Sequence, residues 1–232
     1  MKIMSFNILH CMNYIEKKID FDLMAKVITD CGADIVGLNE MRGLGTHPEY
    51  TAQTEKLSEL TGIKHCFFAK AIEFAKRGPY GNAMLSKYPI VSAESILIPD
   101  PDPKAYSGYY ETRCILRAKL ENGLTVLVTH FGLNPDEQEN AVKAILDILP
   151  EEKCILMGDF NIFPDDRLLD PIRKKMKDTA EYFTSPKLSF PSNAPNRKID
   201  YIFVSPDIDV VEADIPAIVA SDHRPHTATV NY

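Results

Sequence analysis

The sequence predicts an α/β (α+β) fold in which two packed β-sheets are flanked by helices. Short apolar segments recur along the whole chain, and amphipathic segments with helical periodicity lie between some of them. Some apolar segments are continuous, as in strands buried on both faces, and others alternate, as in half-buried strands. With 232 residues, the chain is expected to form one domain over 1–232.

The predicted strands are short segments rich in Ile, Val, Leu and Phe, and turn residues separate them. They lie at 2–8, 34–39, 64–69, 81–86, 90–98, 113–120, 124–131, 153–160, 199–205, 209–215 and 226–232. Gly123 predicts a hairpin turn between two of these strands. The Pro- and Tyr-rich segment 98–110 predicts a long surface loop.

Apolar residues at helical spacing predict the helices. These helices lie at 20–32, 51–61 and 134–150, with a shorter one after Asp165. Gly32 is a suitable end for the first helix. Asn134 and Pro135 are suitable as the cap and first residue of the third.

Composition limits the class of protein. The net charge of -7 gives the chain no overall attraction to nucleic acid or to an anionic membrane, so a phosphate-bearing partner would need a metal ion or local cations. The five cysteines form no CxxC pair and read as small core residues of a reducing compartment. With no signal-peptide pattern and no membrane span in the sequence, we expect a cytoplasmic protein. Nothing in the sequence indicates an oligomeric state.

Polar side chains recur at the ends of the apolar strands, as in ILMGDFN at 155–161. Each one alone fits a turn, a cap or a solvated charge. Together they bring carboxylates, carboxamides and imidazoles from separate segments to loops on a rigid scaffold. The set comprises Asn7, Glu40, His130, Asp159, Asn161, Asp200, Asp222 and His223.

In chain order these segments resemble the endonuclease/exonuclease/phosphatase superfamily, which has the DNase I-like fold. The matching segments are SFNI, GLNEM, YGNAMLSKYPI, VTHFGL, GDFN, RKIDYIFVS and SDHRP, and they extend from position 5 to 225. The resemblance implies a four-layer αββα sandwich of two mixed β-sheets flanked by helices. It also implies a metal-dependent hydrolase that acts on phosphoester bonds.

A magnesium or manganese ion is the expected cofactor. The candidate ligands are hard oxygen donors, and no cluster of Cys and His with zinc spacing competes with them. The resemblance makes Glu40 the main metal carboxylate, helped by Asn7 and Asp222. Such an ion would offset charge in the transition state.

The resemblance also implies roles for five further residues. His223 is the acid/base candidate, and Asp200 orients it. Asp159 lies beside the attacking water, and Asn161 hydrogen-bonds the phosphate or that water. His130 donates to a non-bridging phosphate oxygen. Whether His223 or Asp159 deprotonates the water is left open at this stage.

Four residues have two interpretations of similar weight. Arg113 is expected either to reach the substrate phosphate or to be a strand-edge charge. Asn82 belongs either to the floor of the site or to a turn. Arg197 and Lys198 either help to bind phosphate or lie in a solvated loop.

The expected reaction is hydrolysis of a phosphodiester, or phosphomonoester, by in-line attack of water. A small or lipid-like organic phosphoester is the expected substrate, because the chain is acidic and its basic clusters are small. The alternatives are a magnesium-dependent nuclease that acts on DNA, and a non-catalytic binding module with the same fold. The tyrosines Tyr106, Tyr109 and Tyr110 would form a wall beside a small ester, stack a base, or cover the core.

Overall fold

Two six-stranded β-sheets form the centre of the computed structural model, which describes residues 1–74 and 76–232. The first sheet contains, in spatial order, β13 (Asp209–Asp214), β14 (His226–Asn231), β1 (Lys2–Asn7), β4 (Ile35–Arg42), β6 (Gly78–Ser86) and β5 (His65–Phe74). The second contains β11 (Lys177–Asp178), β12 (Asp200–Val204), β10 (Cys154–Asp159), β9 (Thr125–His130), β8 (Cys114–Leu120) and β7 (Ile90–Leu97). A separate two-residue ladder joins β2 (Met12–Asn13) to β3 (Lys18–Ile19).

Four helices lie on the outer faces of the sheets, within the part of the chain that the structure describes. They are α1 (Phe21–Cys31), α2 (Gln53–Thr61), α3 (Pro135–Ile148) and the short α4 (Asp170–Arg173). The buried residues of α1 and α2 pack on the first sheet, and those of α3 and α4 pack on the second. The predicted four-layer αββα sandwich is therefore confirmed. Each of these helices is too short or too polar to traverse a lipid bilayer.

Alternation along the strands assigns side chains to the layers. In β1, Ile3 faces the core between the sheets, whereas Met4 faces the layer of α1. In β10, Ile155 and Met157 lie between the sheets, and Leu156 packs under α3. These central strands are buried on both faces, which is why their sequences are continuous apolar runs.

The predicted elements differ from the structure mainly at their ends. The strand predicted at 81–86 begins at Gly78, and the strand predicted at 64–69 extends to Phe74. The short helix expected after Asp165 is a 3-10 turn at Arg167–Leu169 followed by α4. The two-residue strands β2, β3 and β11 were not predicted, because two residues show no periodicity.

Gly158 allows β10 to run beside β9 up to the end of both strands. The two strands are parallel, and Gly158 is paired with Thr129. Gly158 has a φ of 149°, and an added Cβ would lie 1.8 Å from the Thr129 carbonyl oxygen. Only glycine therefore fits immediately before Asp159.

We expect Gly158→Ala to destabilise the protein by about 3 kcal/mol or more, because the new methyl group collides with the backbone of β9. Gly62→Ala is the matched control, since Gly62 has a φ of 71° but no described residue lies within 4 Å of an added Cβ. We expect a loss of about 1–2 kcal/mol for the control. Urea unfolding followed by circular dichroism measures both values, and equal losses would contradict the steric argument.

Candidate active site

The polar residues predicted from the sequence converge at one edge, where strands of both sheets end. In the first sheet, Asn7 of β1 is paired with Asn39 of the parallel strand β4. In the second sheet, Asp159 of β10 is paired with His130 on one side and with Asp200 on the other. Because β12 is antiparallel to β10, its first residue lies beside the last residue of β10. The register of the sheets thus assembles the site.

A β-bulge positions Glu40. The register between β4 and β6 shifts between Leu38 and Met41, so that Asn39 and Glu40 both lie opposite Asn82. Glu40 has a φ of 62°, a left-handed conformation that is uncommon outside glycine. The bulge changes the alternation of β4, and two consecutive side chains can therefore serve the site.

Asn39 connects the two sheets through its side-chain amide. Its Nδ2 donates to Asn82 Oδ1 (2.9 Å) and to the carbonyl oxygen of Thr129 (2.8 Å). Its Oδ1 accepts from the backbone amide of Asp159 (3.0 Å). All four residues are fully or almost fully buried. Asn39 therefore fixes the end of β10, and with it Asp159, relative to the first sheet.

Asn7 lies between the two acidic residues of the site. Its Nδ2 is 3.1 Å from Glu40 Oε1 and 3.1 Å from Asp159 Oδ2. Its Oδ1 accepts from the backbone amide of Leu9 (3.2 Å). In this arrangement Asn7 would offer its oxygen to a metal ion only after rotation of the amide group.

Glu40 and Asp222 form a pair of carboxylates that fits a hard cation. Burial raises the pKa of Glu40, and the negative charge of Asp222 raises it further. Within residues 1–74 and 76–232, the only cationic side chain within 4 Å of Glu40 is His10, with Nδ1 3.9 Å from Oε2. Burial lowers the pKa of His10 to about 4, so this imidazole is neutral. The pKa of Glu40 is lowered only in part by the hydrogen bond from Asn7 and by the charges of His223 and Arg113, which lie farther than 4 Å away. Carboxylate oxygens of this kind suit Mg²⁺ or Mn²⁺.

His223 and Asp200 form a buried hydrogen-bonded pair beside Asp159. His223 Nδ1 is 2.8 Å from Asp200 Oδ2, and His223 Nε2 is 3.5 Å from Asp159 Oδ2. Burial alone would lower the pKa of His223, but the charges of Asp200 and Asp159 outweigh it and raise the pKa to about 10. Burial raises the pKa of Asp159 to about 7, although the neighbouring His223 opposes this shift. The pair Asp159–His223 can therefore share and transfer a proton.

Asp159, Asp200 and His223 are also close enough to hold an ion, since one ligand atom of each lies within 4.8 Å of the others. The hydrogen bond between His223 and Asp200 already uses Nδ1 and Oδ2 of the pair. His223 Nε2 and Asp200 Oδ1 take no part in that bond, and Oδ1 is buried without a hydrogen-bond partner among the described residues. These three residues are therefore a second candidate position for an ion, beside the carboxylates of Glu40 and Asp222.

His130 is a neutral donor in the site. Burial, together with the charge of Arg113, lowers its pKa well below the ordinary value. Its Nδ1 is 3.1 Å from Arg113 Nη1, and because a guanidinium only donates, this Nδ1 must accept. The proton of the neutral ring is therefore on Nε2, which lies 3.5 Å from Asp159 Oδ2.

The GDFN segment forms a turn with its polar residues on the site and its aromatic residue in the core. Phe160 is fully buried and packs on Phe131 with the ring centroids 4.5 Å apart. Asn161 has a φ of 50°, and its backbone amide donates to Asp159 Oδ1 (3.0 Å). Its side-chain Nδ2 lies 3.3 Å from His130 Nε2. The turn that follows β10 therefore also supplies Asp159 and Asn161 to the candidate site.

The four residues with two interpretations, Arg113, Asn82, Lys198 and Arg197, lie in different surroundings. Arg113 lies in the site, held by Glu111 (2.7 Å) as well as by the contact with His130. Asn82 lies behind the site, because its amide bonds both Asn39 and the Cys114 carbonyl oxygen (2.9 Å). Lys198 is buried, with its Nζ 3.2 Å from the Tyr201 ring centroid, and Arg197 is exposed.

Sequence reasoning missed the bridging role of Asn39 and the proximity of His10 to Glu40. In the sequence, Asn39 stands only within the matching segment GLNEM, next to Glu40. His10 reaches Glu40 because Leu9, His10 and Cys11 all have positive φ values between 44° and 64°. Such a left-handed turn without glycine leaves no signal in the residue pattern.

Comparison with known proteins gives one sequence match and several structural matches. A sequence model described as the Endonuclease/Exonuclease/phosphatase family matches residues 4–223. No curated protein matches the chain in sequence.

Solved structures share the fold at low sequence identity. An endonuclease/exonuclease/phosphatase from Beutenbergia cavernae DSM 12333 has a TM-score of 0.80 and 22% identity, over 99% of this chain and 71% of its own. A mannosyl-6-phosphatase from Bacteroides thetaiotaomicron VPI-5482 has a TM-score of 0.78 and 16% identity, over 100% of both chains. D. rerio TDP2, in complex with a single-strand DNA product, has a TM-score of 0.69 and 16% identity, over 100% of this chain and 99% of its own. These likenesses confirm the predicted DNase I-like architecture.

We expect Asn39→Leu to destabilise the protein by about 3 kcal/mol or more, because three buried polar groups would each lose a partner at about 1–3 kcal/mol. Asn140→Leu is the control, since Asn140 is only half-buried and, among the described residues, its side chain bonds only the Pro99 carbonyl oxygen (2.9 Å). Its effect should stay within about 0.5 kcal/mol. Urea unfolding measures both, and a small loss for Asn39→Leu would show that the sheets do not depend on this amide.

Proposed function

Because the chain belongs to the endonuclease/exonuclease/phosphatase family, we propose that it hydrolyses the phosphoester bond of a small organic phosphoester with a divalent metal ion. The bond broken is that of a phosphodiester or a phosphomonoester, and the attacking group is water. The main support is the position of Asn7 between two acidic residues with different surroundings, Glu40 and Asp159. Asn7 Nδ2 is 3.1 Å from Glu40, whose pKa the charge of Asp222 raises, and 3.1 Å from Asp159, which lies beside the His223–Asp200 pair.

Glu40 and Asp222 would hold Mg²⁺ or Mn²⁺, with Asn7 as a third oxygen donor after rotation of its amide. When bound, such an ion supplies positive charge that stabilises the phosphate oxygens and the leaving oxygen. The carboxylates suit this role because the charge of Asp222 raises the pKa of Glu40, and the opposing charges of His223 and Arg113 do not cancel that shift.

The chain's own residues then position the water and move its proton. Asp159 is the central acceptor, since Asn7, His130 and His223 all lie within 3.5 Å of its Oδ2. Asp200 fixes the tautomer of His223 by accepting from Nδ1, so that Nε2 faces Asp159. The Asp159–His223 pair accepts the proton of the attacking water.

The phosphate would lie against the donors on the second sheet. His130 offers its Nε2–H, Asn161 offers its amide, and Arg113 offers a guanidinium held by Glu111. Donors that are already fixed in place stabilise the charge of the transition state without reorganisation. Asn82 contributes only indirectly, by holding Asn39.

A small substrate suits the charges near the site better than duplex DNA. Binding of a duplex depends on several phosphates being neutralised by Lys and Arg. Arg113 is paired with Glu111, and Lys198 is buried against Tyr201. One phosphate therefore finds partners here, whereas a continuous strand finds few. The likeness to a mannosyl-6-phosphatase supports a small ester, and the likeness to TDP2 with its DNA product makes DNA the second candidate.

A panel of substrates at one Mg²⁺ concentration tests the proposal. The panel contains bis-p-nitrophenyl phosphate, small sugar and alcohol phosphates, a sphingomyelin-type lipid, supercoiled plasmid and an abasic-site oligonucleotide. We expect a small ester to be hydrolysed with the highest kcat/KM, and excess EDTA to remove the activity. Full activity in EDTA would exclude the metal ion. Rapid cutting of the nucleic acids, with the small esters intact, would establish the nuclease instead.

Two variants separate metal binding from proton transfer. Glu40→Gln should weaken Mn²⁺ binding in isothermal titration calorimetry, because it removes the main carboxylate. His223→Gln should leave Mn²⁺ binding nearly unchanged and reduce turnover by about 10²–10⁴-fold. Glu94→Gln is the control, since Glu94 is exposed and, in the part of the chain that the structure describes, pairs only with Arg117. Near-normal turnover in His223→Gln would show that the assigned role is wrong.

A further inference from the structure

We propose that a cavity beside Glu40 binds a neutral, hydroxylated ring, such as a sugar or a cyclitol, as the organic group of the substrate. The inference rests on the proposed function and specifies its substrate class. The cavity has a volume of about 300 Å³ and shares Glu40 with the candidate metal site. This volume is at the lower end of the range for small-molecule sites. The ring of a substrate bound in this cavity would carry its phosphate beside the residues proposed to be catalytic.

The wall of the cavity comes from the part of the first sheet that continues beyond the bulge. Arg42 of β4 is paired with Tyr80 of β6, and directly paired residues of antiparallel strands lie on the same face. Phe74 of β5 packs against Tyr80, with ring centroids 5.9 Å apart and ring planes at 51°. Burial raises the pKa of the Tyr80 phenol well above its ordinary value, and the charge of Glu40 adds to the shift. This aromatic wall therefore adjoins the metal carboxylate.

Arg42 supplies a fixed hydrogen-bond donor. Its Nη1 is 3.2 Å from Glu49 Oε2, and its guanidinium carbon is 4.9 Å from the Tyr50 ring centroid. Its backbone amide donates to Gln53 Oε1 (2.9 Å). Its Nε is buried and has no hydrogen-bond partner among residues 1–74 and 76–232. A buried donor of this kind favours a ligand that brings an acceptor.

Glu111 and Tyr109 supply acceptors and a rim on the opposite side. Glu111 binds Arg113 through Oε1 (2.7 Å) and accepts from the Tyr109 hydroxyl through Oε2 (3.3 Å). The Tyr109 side chain is exposed, so it can close over a ligand. Tyr106 and Tyr110 do not line the cavity, and Tyr110 instead donates to Asp136 Oδ2 (2.8 Å). Of the three tyrosines noted in the sequence, Tyr109 alone fits the predicted aromatic wall.

These features disfavour other organic groups. A second phosphate finds too little positive charge, because in the described chain Glu49 already neutralises Arg42, and Arg113, paired with Glu111, is assigned to the first phosphate. An acyl chain would bury the Nε of Arg42 without an acceptor. Phe74 and Tyr80 are too strongly tilted to form a slot for a flat base. A hydroxylated ring instead places its C–H face on the aromatic wall and its hydroxyl groups on Arg42 and Glu111.

Kinetics with ring and open-chain phosphates test the assignment. The substrates are hexose 6-phosphates, myo-inositol monophosphate, glycerol phosphate and a nucleoside monophosphate, each with Mg²⁺. We expect a phosphate of a hydroxylated ring to exceed glycerol phosphate by at least about tenfold in kcat/KM. Whether the hexose 6-phosphates or myo-inositol monophosphate have the higher kcat/KM tells whether the ring is a sugar or a cyclitol. Equal values for ring and open-chain esters, or preference for the nucleotide, would overturn the assignment.

Variants link that preference to the cavity. Arg42→Met and Tyr109→Ala should each raise the KM for the preferred ring phosphate by about tenfold. Tyr106→Ala is the matched control, because Tyr106 is an exposed tyrosine of the same loop and does not line the cavity. Wild-type KM values in both Arg42→Met and Tyr109→Ala would contradict the proposal.

A binding measurement without turnover separates this inference from the proposed function. In EDTA, saturation-transfer NMR should detect contact between the wild-type protein and the ring protons of the same phosphates. The signal should be lost in Tyr109→Ala and kept in Tyr106→Ala. If no ester is hydrolysed but the ring signal is present, the proposed function fails and the cavity assignment holds. If esters are hydrolysed and no ring signal is seen, the cavity assignment fails alone.

Discussion

The amide of Asn39 is the contact on which the geometry of the site depends. Two sheets that pack through apolar side chains can slide against each other at small cost, since apolar contacts have no direction. Asn39 removes that freedom at one edge, because its amide bonds Asn82, Thr129 and Asp159 at once. The residues proposed to be catalytic come from both sheets, so their arrangement requires this fixed register. A buried polar network whose members are all satisfied provides it.

The electrostatics of the site follow from that register. The sheets bring Glu40, Asp159 and Asp200 to one buried edge, where isolated carboxylates are costly. Asp200 is compensated by His223, and Asp159 by hydrogen bonds from Asn7 and Asn161. The pKa of Glu40 is raised by burial and by Asp222, and the hydrogen bond from Asn7 offsets this shift only in part. One further positive charge beside Glu40 and Asp222 would stabilise both carboxylates, and a divalent ion would supply it.

The sequence was sufficient for the layers and for most of the site, and the reason is periodicity. Continuous apolar runs located the central strands, and polar residues at their ends located Asn7, Asp159 and His130. The cavity was not predictable in the same way. Tyr80 and Phe74 lie beyond a bulge, where the strand pattern no longer tells which face a residue occupies. The position of Glu111 depends on the irregular connection between β7 and β8. The sequence pattern does not distinguish Tyr109, which lines the cavity, from Tyr110, whose hydroxyl bonds Asp136 instead.

The residues proposed for the chemistry and most of those proposed to select the substrate come from different parts of the fold. The residues proposed to transfer the proton stand at the ends of central strands, whose positions the two sheets and Asn39 determine. Glu40 and Arg42 of β4 line the cavity as well, but Phe74, Tyr80, Tyr109 and Glu111 come from β5 and β6 at one side of the first sheet and from the connection 98–113. Changes there alter few of the contacts that hold Asp159 and His223. The proposed chemistry and the proposed choice of organic group would therefore depend largely on different parts of the chain.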